Sequence, residues 1–244
     1  MAKQIWKPGN MIYPVPAVMV TVADKKGNVN IITIAWTGTI CTNPPMAYIS
    51  VKPERFSYSM LEETGEFVIN LTTRDLAFAT DFCGVKSGKE VDKFQELYLT
   101  KGEAVKVRVP VIKESPVNIE CKVVEQRGLG SHTMFLAEVA AVQADEIYLD
   151  KNGKFDLSLA EPIVYSHGEY FCLGERLGKF GYSVRKQKEL GERKTGFEEQ
   201  SDRKENRKER SGKEERLRMQ LFPKEESAYR EKRINRRENQ IRQI

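Results

Sequence analysis

Residues 30–45, NIITIAWTGTICTNPP, place four threonines, a tryptophan and a glycine in a strand-like run that ends at a Pro-Pro corner. Hydroxyls and exposed backbone amides at a barrel rim suit a neutral polar heterocycle, whose edge needs several weak hydrogen bonds rather than charge. Thr33, Ile34, Ala35, Trp36 and Thr37 are the candidates on this run. By itself the run reads equally as a half-buried strand, a setting threonine favours. Residues 50–57, SVKPERFS, bring Ser50, Val51, Arg55 and Ser57 to the point where a strand gives way to a helix. A forked arginine donor, serine hydroxyls and the free N–H groups of a helix N-terminus would hold a phosphate. A solvated turn with a surface arginine uses the same residues. Residues 81–94, DFCGVKSGKEVDKF, add Cys83, Ser87, Lys93 and Phe94 around a glycine-containing loop. That loop is either a rim over part of a ligand or an ordinary surface loop, and it lacks the Gly-x-x-x-x-Gly-Lys-Ser/Thr phosphate cradle.

The only histidines are His132, after a glycine-rich turn, and His167. Two cannot build a multi-histidine metal cluster, and a single strand histidine is more often structural than catalytic. Residues 174–181 carry three glycines, but they miss the Gly-x-Gly-x-x-Gly spacing and its βαβ setting, so a dinucleotide fingerprint is excluded.

The elements that must position these groups are mostly strands. Apolar, β-branched runs at 15–22, 31–36, 46–51, 67–71, 117–126, 133–144 and 163–165 alternate with turn signals. Helical spacing predicts short helices at 54–63 and 74–82, the latter stopping near Gly84. Many short strands and few short helices predict a mainly β fold, an antiparallel barrel with helical insertions. A doubly wound parallel sheet would need long helices between its strands.

Charge divides the chain. Residues 1–187 hold 22 Lys and Arg against 22 Asp and Glu, whereas residues 188–244 hold 18 against 13. The body is neutral and gives no reason to expect a nucleic-acid or anionic-membrane surface over residues 1–186. Residues 187–244 read as a charged, low-complexity extension, disordered or helical, with a partner-binding or RNA-touching basic arm as the sharper alternative. Cys41, Cys83, Cys121 and Cys172 are widely spaced, with neither metal-ligand nor disulfide patterning. No run approaches the length of a membrane helix, so a cytoplasmic protein with reduced thiols is expected.

Taken in order, several motifs resemble the flavin reductase-like domains, the group that includes flavoredoxin. They are Pro14-Val-Pro16, Asn30 with residues 33–36, Pro44-Pro45, Ser50 with Lys52, Pro53 and Arg55, and Gly65 to Asn70. Asp81, Gly84, Ser87, Gly88 and residues 92–94 continue the series, followed by Ser131 to Thr133 and the glycines and aromatics of residues 170–181. The resemblance spans about residues 10–186, and its strength lies in order and spacing rather than in one motif.

That resemblance implies an FMN-binding split β-barrel that works as a homodimer, with flavin at or near the subunit interface. It implies that residues 33–37 lie along the isoalloxazine and ribityl groups and that Ser50, Arg55 and Ser57 face the phosphate. The loop of Cys83, Ser87, Lys93 and Phe94 would close over the cofactor, and His132 would lie where a reductant meets the flavin. FMN would supply the redox chemistry while the protein binds, orients and tunes it. The expected activity is that of an NAD(P)H-dependent flavin reductase or a flavoredoxin-like electron carrier exchanging electrons with a small molecule or a protein. The alternative is a non-catalytic flavin-binding or sensor module whose extension reaches a partner. Cys41 has a rim position from which a flavin-proximal thiol could act.

Overall fold

Residues 18–23 are buried at every position, an unusual pattern for a strand with one wet face. The computed structural model, which describes residues 2–150 and 152–184, shows why. Side chains alternate across a strand, so Val18, Val20 and Val22 point to one core and Met19, Thr21 and Ala23 to another layer. The strand is covered on both sides.

The strands, in chain order, are β1 (Val15–Pro16), β2 (Val18–Ala23), β3 (Val29–Ile34), β4 (Thr37–Cys41), β5 (Met46–Val51) and β6 (Glu66–Asn70). They continue as β7 (Lys101–Gly102), β8 (Val111–Ile112), β9 (Val117–Gly128), β10 (Thr133–Ala144), β11 (Ile163–Ser166) and β12 (Glu169–Cys172). Three α-helices, α1 (Phe56–Thr64), α2 (Ala77–Val85) and α3 (Lys93–Glu96), are inserted among them. One antiparallel sheet runs in the order β3-β2-β6-β9-β10-β5-β4. A second, β1-β11-β12, and the pair β7-β8 complete the strands.

The connection between β3 and β4 dictates the curl. These strands lie at opposite edges of the seven-stranded sheet, yet only Ala35 and Trp36 separate them. The three Cα–Cα steps from Ile34 to Thr37 span at most about 11 Å, so the two edges must be brought close together. The sheet therefore curls into a barrel that is left open along one seam, beside β3. Across the turn, Ser50 N donates to Trp36 O at 2.9 Å and Thr37 Oγ1 donates to Tyr48 O at 2.6 Å. The fold is a split β-barrel.

Inside the barrel, Val18, Val20, Ile32, Ile49, Phe67, Ile69, Cys121 and Phe135 form the main core, and Met60 and Leu61 of α1 join it. The outer face of β2 and β3 is covered by α2 and α3 through Met19, Ile31, Leu76, Ala79, Cys83 and Phe94. Farther along, residues 103–112 fold over β6 and β9. They are held by Glu120, whose buried carboxylate accepts from Val105 N, Lys106 N and Val107 N at 2.6–3.2 Å and from Gln143 Nε2 at 3.0 Å. Burial by itself would raise the Glu120 pKa, but these donors outweigh it and hold the group below its ordinary value.

The chain divides into a unit of Met1–Arg176, which contains this architecture, and a unit of Leu177–Ile244, of which only the single turn Tyr182–Val184 is described as an element. The extension expected over 187–244 lies outside the described residues.

Candidate functional site

Among the described residues, the barrel seam leaves one edge of β3 without a strand partner. Its chemistry follows from one hydrogen bond: Ile31 O, on that free edge, accepts from Lys93 Nζ at 2.6 Å. Backbone groups of an antiparallel edge strand alternate in direction every residue, so the N–H and C=O of Thr33 also point out of the sheet. A row of main-chain donors and acceptors thus faces the seam.

A cavity of about 380 Å³ opens there. Its floor is Ile32, Thr33, Ile34, Ala35 and Trp36, with Ser50 and Val51 of β5 alongside. Lys52, Arg55, Gly84 and Val85 border one end, and Asp81, His132, Tyr165, Gly168 and Tyr170 form the remaining walls. A second cavity of about 330 Å³ adjoins it, sharing Ile32, Arg55, Gly84 and Val85. Asn30, Ser57, Cys83, Ser87, Gly88 and Lys93 line this neighbour. Arg55 stands between the two, its Nη1 donating to Gly84 O at 3.5 Å.

The second cavity is cationic. Lys93 is buried and donates to Ile31 O and, at 2.8 Å, to Cys83 O. An ammonium has three donors, so one remains. Burial pulls the Lys93 pKa below the ordinary lysine value; the neighbouring Cys83 opposes that shift and Arg55 reinforces it. Glu54 also lines this cavity and pairs with Lys52 at 3.6 Å, its charge partly offsetting Arg55, while Lys86 and Lys93 keep the balance of the lining positive. Ser57 Oγ accepts from Asn30 Nδ2 at 2.8 Å, which leaves its own proton to donate. Helix α1 begins at this spot with no side chain capping its first N–H groups.

Local sequence explains how these groups are held. Asp92 caps α3 by accepting from Phe94 N at 3.0 Å and Gln95 N at 3.2 Å, which fixes Lys93 in the first turn. Gly88 brings the 86–92 loop against the barrel so closely that a Cβ would lie 2.4 Å from Asn30 Oδ1. Only glycine allows that approach. Thr33 Oγ1 donates to Thr80 O, tying the floor to α2.

The seam brings together Thr33, Ile34, Ala35, Trp36, Ser50, Val51, Arg55 and His132 in the first cavity, and Arg55, Ser57, Cys83, Ser87 and Lys93 in the second. Two residues expected at the site line neither cavity. Thr37 is buried and spends its hydroxyl on Tyr48 O, and Phe94 packs in the core under α2. Cys83 is buried too, and burial pushes its thiol up to about 12, partly offset by Lys93, so it is not a thiolate. His132 is half-buried, with Nδ1 at 2.9 Å from Ser131 Oγ.

Several lining residues were not among the sequence candidates: Asn30, Lys52, Asp81, Gly84, Tyr165 and Tyr170. The β11–β12 hairpin carries the last two. It turns through His167 and Gly168, both at positive φ, the two-residue hairpin geometry a sequence such as Ser-His-Gly-Glu permits. Tyr170 O–H donates to Asp81 Oδ1 at 3.3 Å. Burial, then the Asp81 carboxylate and Tyr165, push its pKa up to about 12.

A split barrel with an amide-lined seam and a cationic end is a ligand-binding architecture. The chain belongs to the flavin reductase-like domain family, whose model matches residues 10–174. The flavoredoxin of Desulfovibrio vulgaris (Miyazaki F) is 30% identical in sequence; the match covers 75% of this chain and 100% of that one, with a TM-score of 0.70. The flavoredoxin of Methanosarcina acetivorans is similar at 30% identity and a TM-score of 0.67, over the same shares of each chain. An uncharacterised protein of Archaeoglobus fulgidus is 31% identical over 160 residues, 66% of this chain and 88% of its own. This membership supports flavin-related oxidoreductase chemistry. Among the described residues, no helix is long and apolar enough to cross a membrane.

Proposed function

We propose that the chain binds FMN along the seam and acts as an oxidoreductase of the flavin reductase or flavoredoxin type. The observation that carries this reading is the pairing of two adjoining cavities of different chemistry. One has an amide-edged, partly apolar floor; the other collects Arg55, Lys86, Lys93, Ser57 and the start of α1 against the single carboxylate Glu54. A flat, uncharged heterocycle joined to a phosphate asks for that combination. In this reading Thr33 and Ala35 present main-chain groups to the ring edge, Ile32 and Ile34 exclude water beneath it, and Arg55, Ser57 and Lys93 bind the phosphate. FMN, when bound, supplies the electron and hydride chemistry.

Arg55 then anchors by charge and takes no part in redox steps. Arg55→Ala should weaken FMN binding by about tenfold to a hundredfold, the scale of a charge-assisted hydrogen bond to phosphate, while turnover of the remaining loaded protein stays near that of the parent. Equal FMN affinity in parent and variant would remove Arg55 from the site.

The reductant is nicotinamide nucleotide in the reductase reading and a protein in the flavoredoxin reading. Steady-state oxidation of NADH and NADPH separates them, since turnover with neither nucleotide favours the carrier. The strong likeness to two flavoredoxins along their whole length supports the carrier form. A homodimer and a cytoplasmic location belong to the same proposal. Exposed Val124 and Leu129 in the turn half of the β9–β10 hairpin supply apolar surface for a second subunit.

A further inference from the structure

A third cavity, of about 340 Å³, shares no lining residue with the two at the seam. It lies against the β7–β8 pair, where β9 begins and β10 ends, and Asn118 and Gln143 stand in its lining. These two residues are direct partners across β9 and β10, so their side chains leave the same face of the sheet. Both have spent their donor ends. Asn118 Nδ2 donates to Asn70 Oδ1 at 2.8 Å and to Ile112 O at 3.0 Å. Gln143 Nε2 donates to Glu103 O at 3.1 Å and to Glu120 Oε1 at 3.0 Å. Every one of those partners is an acceptor, which fixes the direction of each amide.

The amide oxygens are left over. Asn118 is only 6% exposed, and among the described residues no side-chain oxygen is sealed in the interior without a partner. Asn118 Oδ1, which accepts no hydrogen bond, therefore opens on this cavity. Ser115, 3% exposed and also in the lining, spends its single proton on Leu71 O at 2.6 Å and Val117 O at 2.9 Å, so only acceptor capacity remains there. At the exposed rim stand the carboxylates of Glu103 and Asp145, the latter also accepting from Ile147 N, and opposing them the ammonium of Lys113. The Glu120 carboxylate lies behind Gln143 and adds to the negative balance. Surplus acceptors and net negative charge make this cavity the chemical reverse of the second one.

We propose that the third cavity binds a small organic cation with a planar set of N–H donors, a guanidinium or amidinium. Asn118 and Gln143 accept from its N–H groups, and Glu103 and Asp145 supply the attraction. Side chains of directly paired residues start about 5 Å apart, a spacing that a planar, forked donor bridges and a compact ammonium does not. A guanidinium is also less strongly hydrated, so it enters a part-buried site at lower cost. The site is independent of flavin binding.

The test follows the side-chain amide signals of Asn118 and Gln143 by NMR in the full chain at constant ionic strength. The probes are methylguanidinium, methylammonium and tetramethylammonium, which carry the same charge. Methylguanidinium should shift both signals saturably and bind about tenfold more tightly than tetramethylammonium, which has no N–H to donate. Methylammonium should bind less tightly than methylguanidinium. Glu103→Gln should weaken methylguanidinium by about threefold and Lys113→Met should strengthen it by a similar factor, the scale of exposed charge contacts. FMN affinity should be unchanged in both variants, because neither residue lines the seam cavities. Unshifted Asn118 and Gln143 signals, equal binding of methylguanidinium and either other cation, or an affinity that neither variant moves each overturns the proposal.

Discussion

Two buried polar clusters flank the same barrel and differ in one respect. Around Glu120, every acceptor position is matched: three backbone N–H groups of residues 105–107 and the Gln143 amide converge on one carboxylate. Around Lys93, two carbonyls take two of three protons, Ser57 keeps its proton, α1 keeps its uncapped N–H groups, and Arg55 stands beside them. Both clusters are hydrogen-bonded and both contain a charge. The first is saturated and holds a loop, whereas the second has donor capacity left over and faces a cavity. Residual donors beside empty volume, rather than buried charge as such, separate a binding site from a structural one.

Breaking the saturated cluster should have the largest effect, and it should fall on stability. Glu120→Ala leaves one buried and two part-buried N–H donors unpaired and is expected to cost about 2–4 kcal/mol of unfolding free energy. FMN affinity of the folded protein should be unchanged, as chemical denaturation and a flavin titration would show together. Because the folded Glu120 pKa lies below the unfolded one, its contribution is present above the ordinary glutamate value of 4.5 and is lost as pH falls through the folded value.

The unsaturated cluster should respond to pH in the other direction, through binding. Lys93 is held below its ordinary value of 10.5, and a bound phosphate favours its protonated form and raises that pKa. Binding therefore takes up a proton in the window between the free and bound values, and affinity falls as pH rises through the free value. FMN affinity should drop by about tenfold across the alkaline range below 10.5, one pKa unit of linkage. Riboflavin, which has no phosphate, should show no such slope. Equal slopes for the two flavins would place Lys93 outside the phosphate contact.

A smaller effect distinguishes the two residues of the 33–37 run that look alike in sequence. Thr37→Val removes only the bond to Tyr48 O and should cost about 1 kcal/mol of stability. Its FMN affinity should match the parent, because Thr37 lines neither cavity.

How legible was this from the sequence? The β9 and β10 strands, the helix around residues 56–64 and the strand at 66–70 follow from periodicity, because each has an apolar face that must be buried. The 15–22 run is less simple: it breaks at Ala17, and its first two residues pair with β11 in a different sheet. Thr33 and Thr37 could not be separated, since their difference lies in the seam, which exists only once the sheet curls. Lys93 and Phe94 are adjacent in sequence, but the α3 cap at Asp92 turns one to the cavity and the other into the core. Tyr165 and Tyr170 carry no site signal of their own in the sequence, because strand aromatics ordinarily read as packing. Their place in the cavity wall follows from antiparallel pairing that sets them directly opposite each other.

The claim that the unsaturated cluster is a phosphate end is tested most directly by calorimetric titration of the purified chain with FMN and with riboflavin. The account predicts that FMN binds about a hundredfold more tightly, the worth of one or two charge-assisted hydrogen bonds, and that Arg55→Ala removes most of the difference. Equal affinity of the parent for FMN and riboflavin would contradict it.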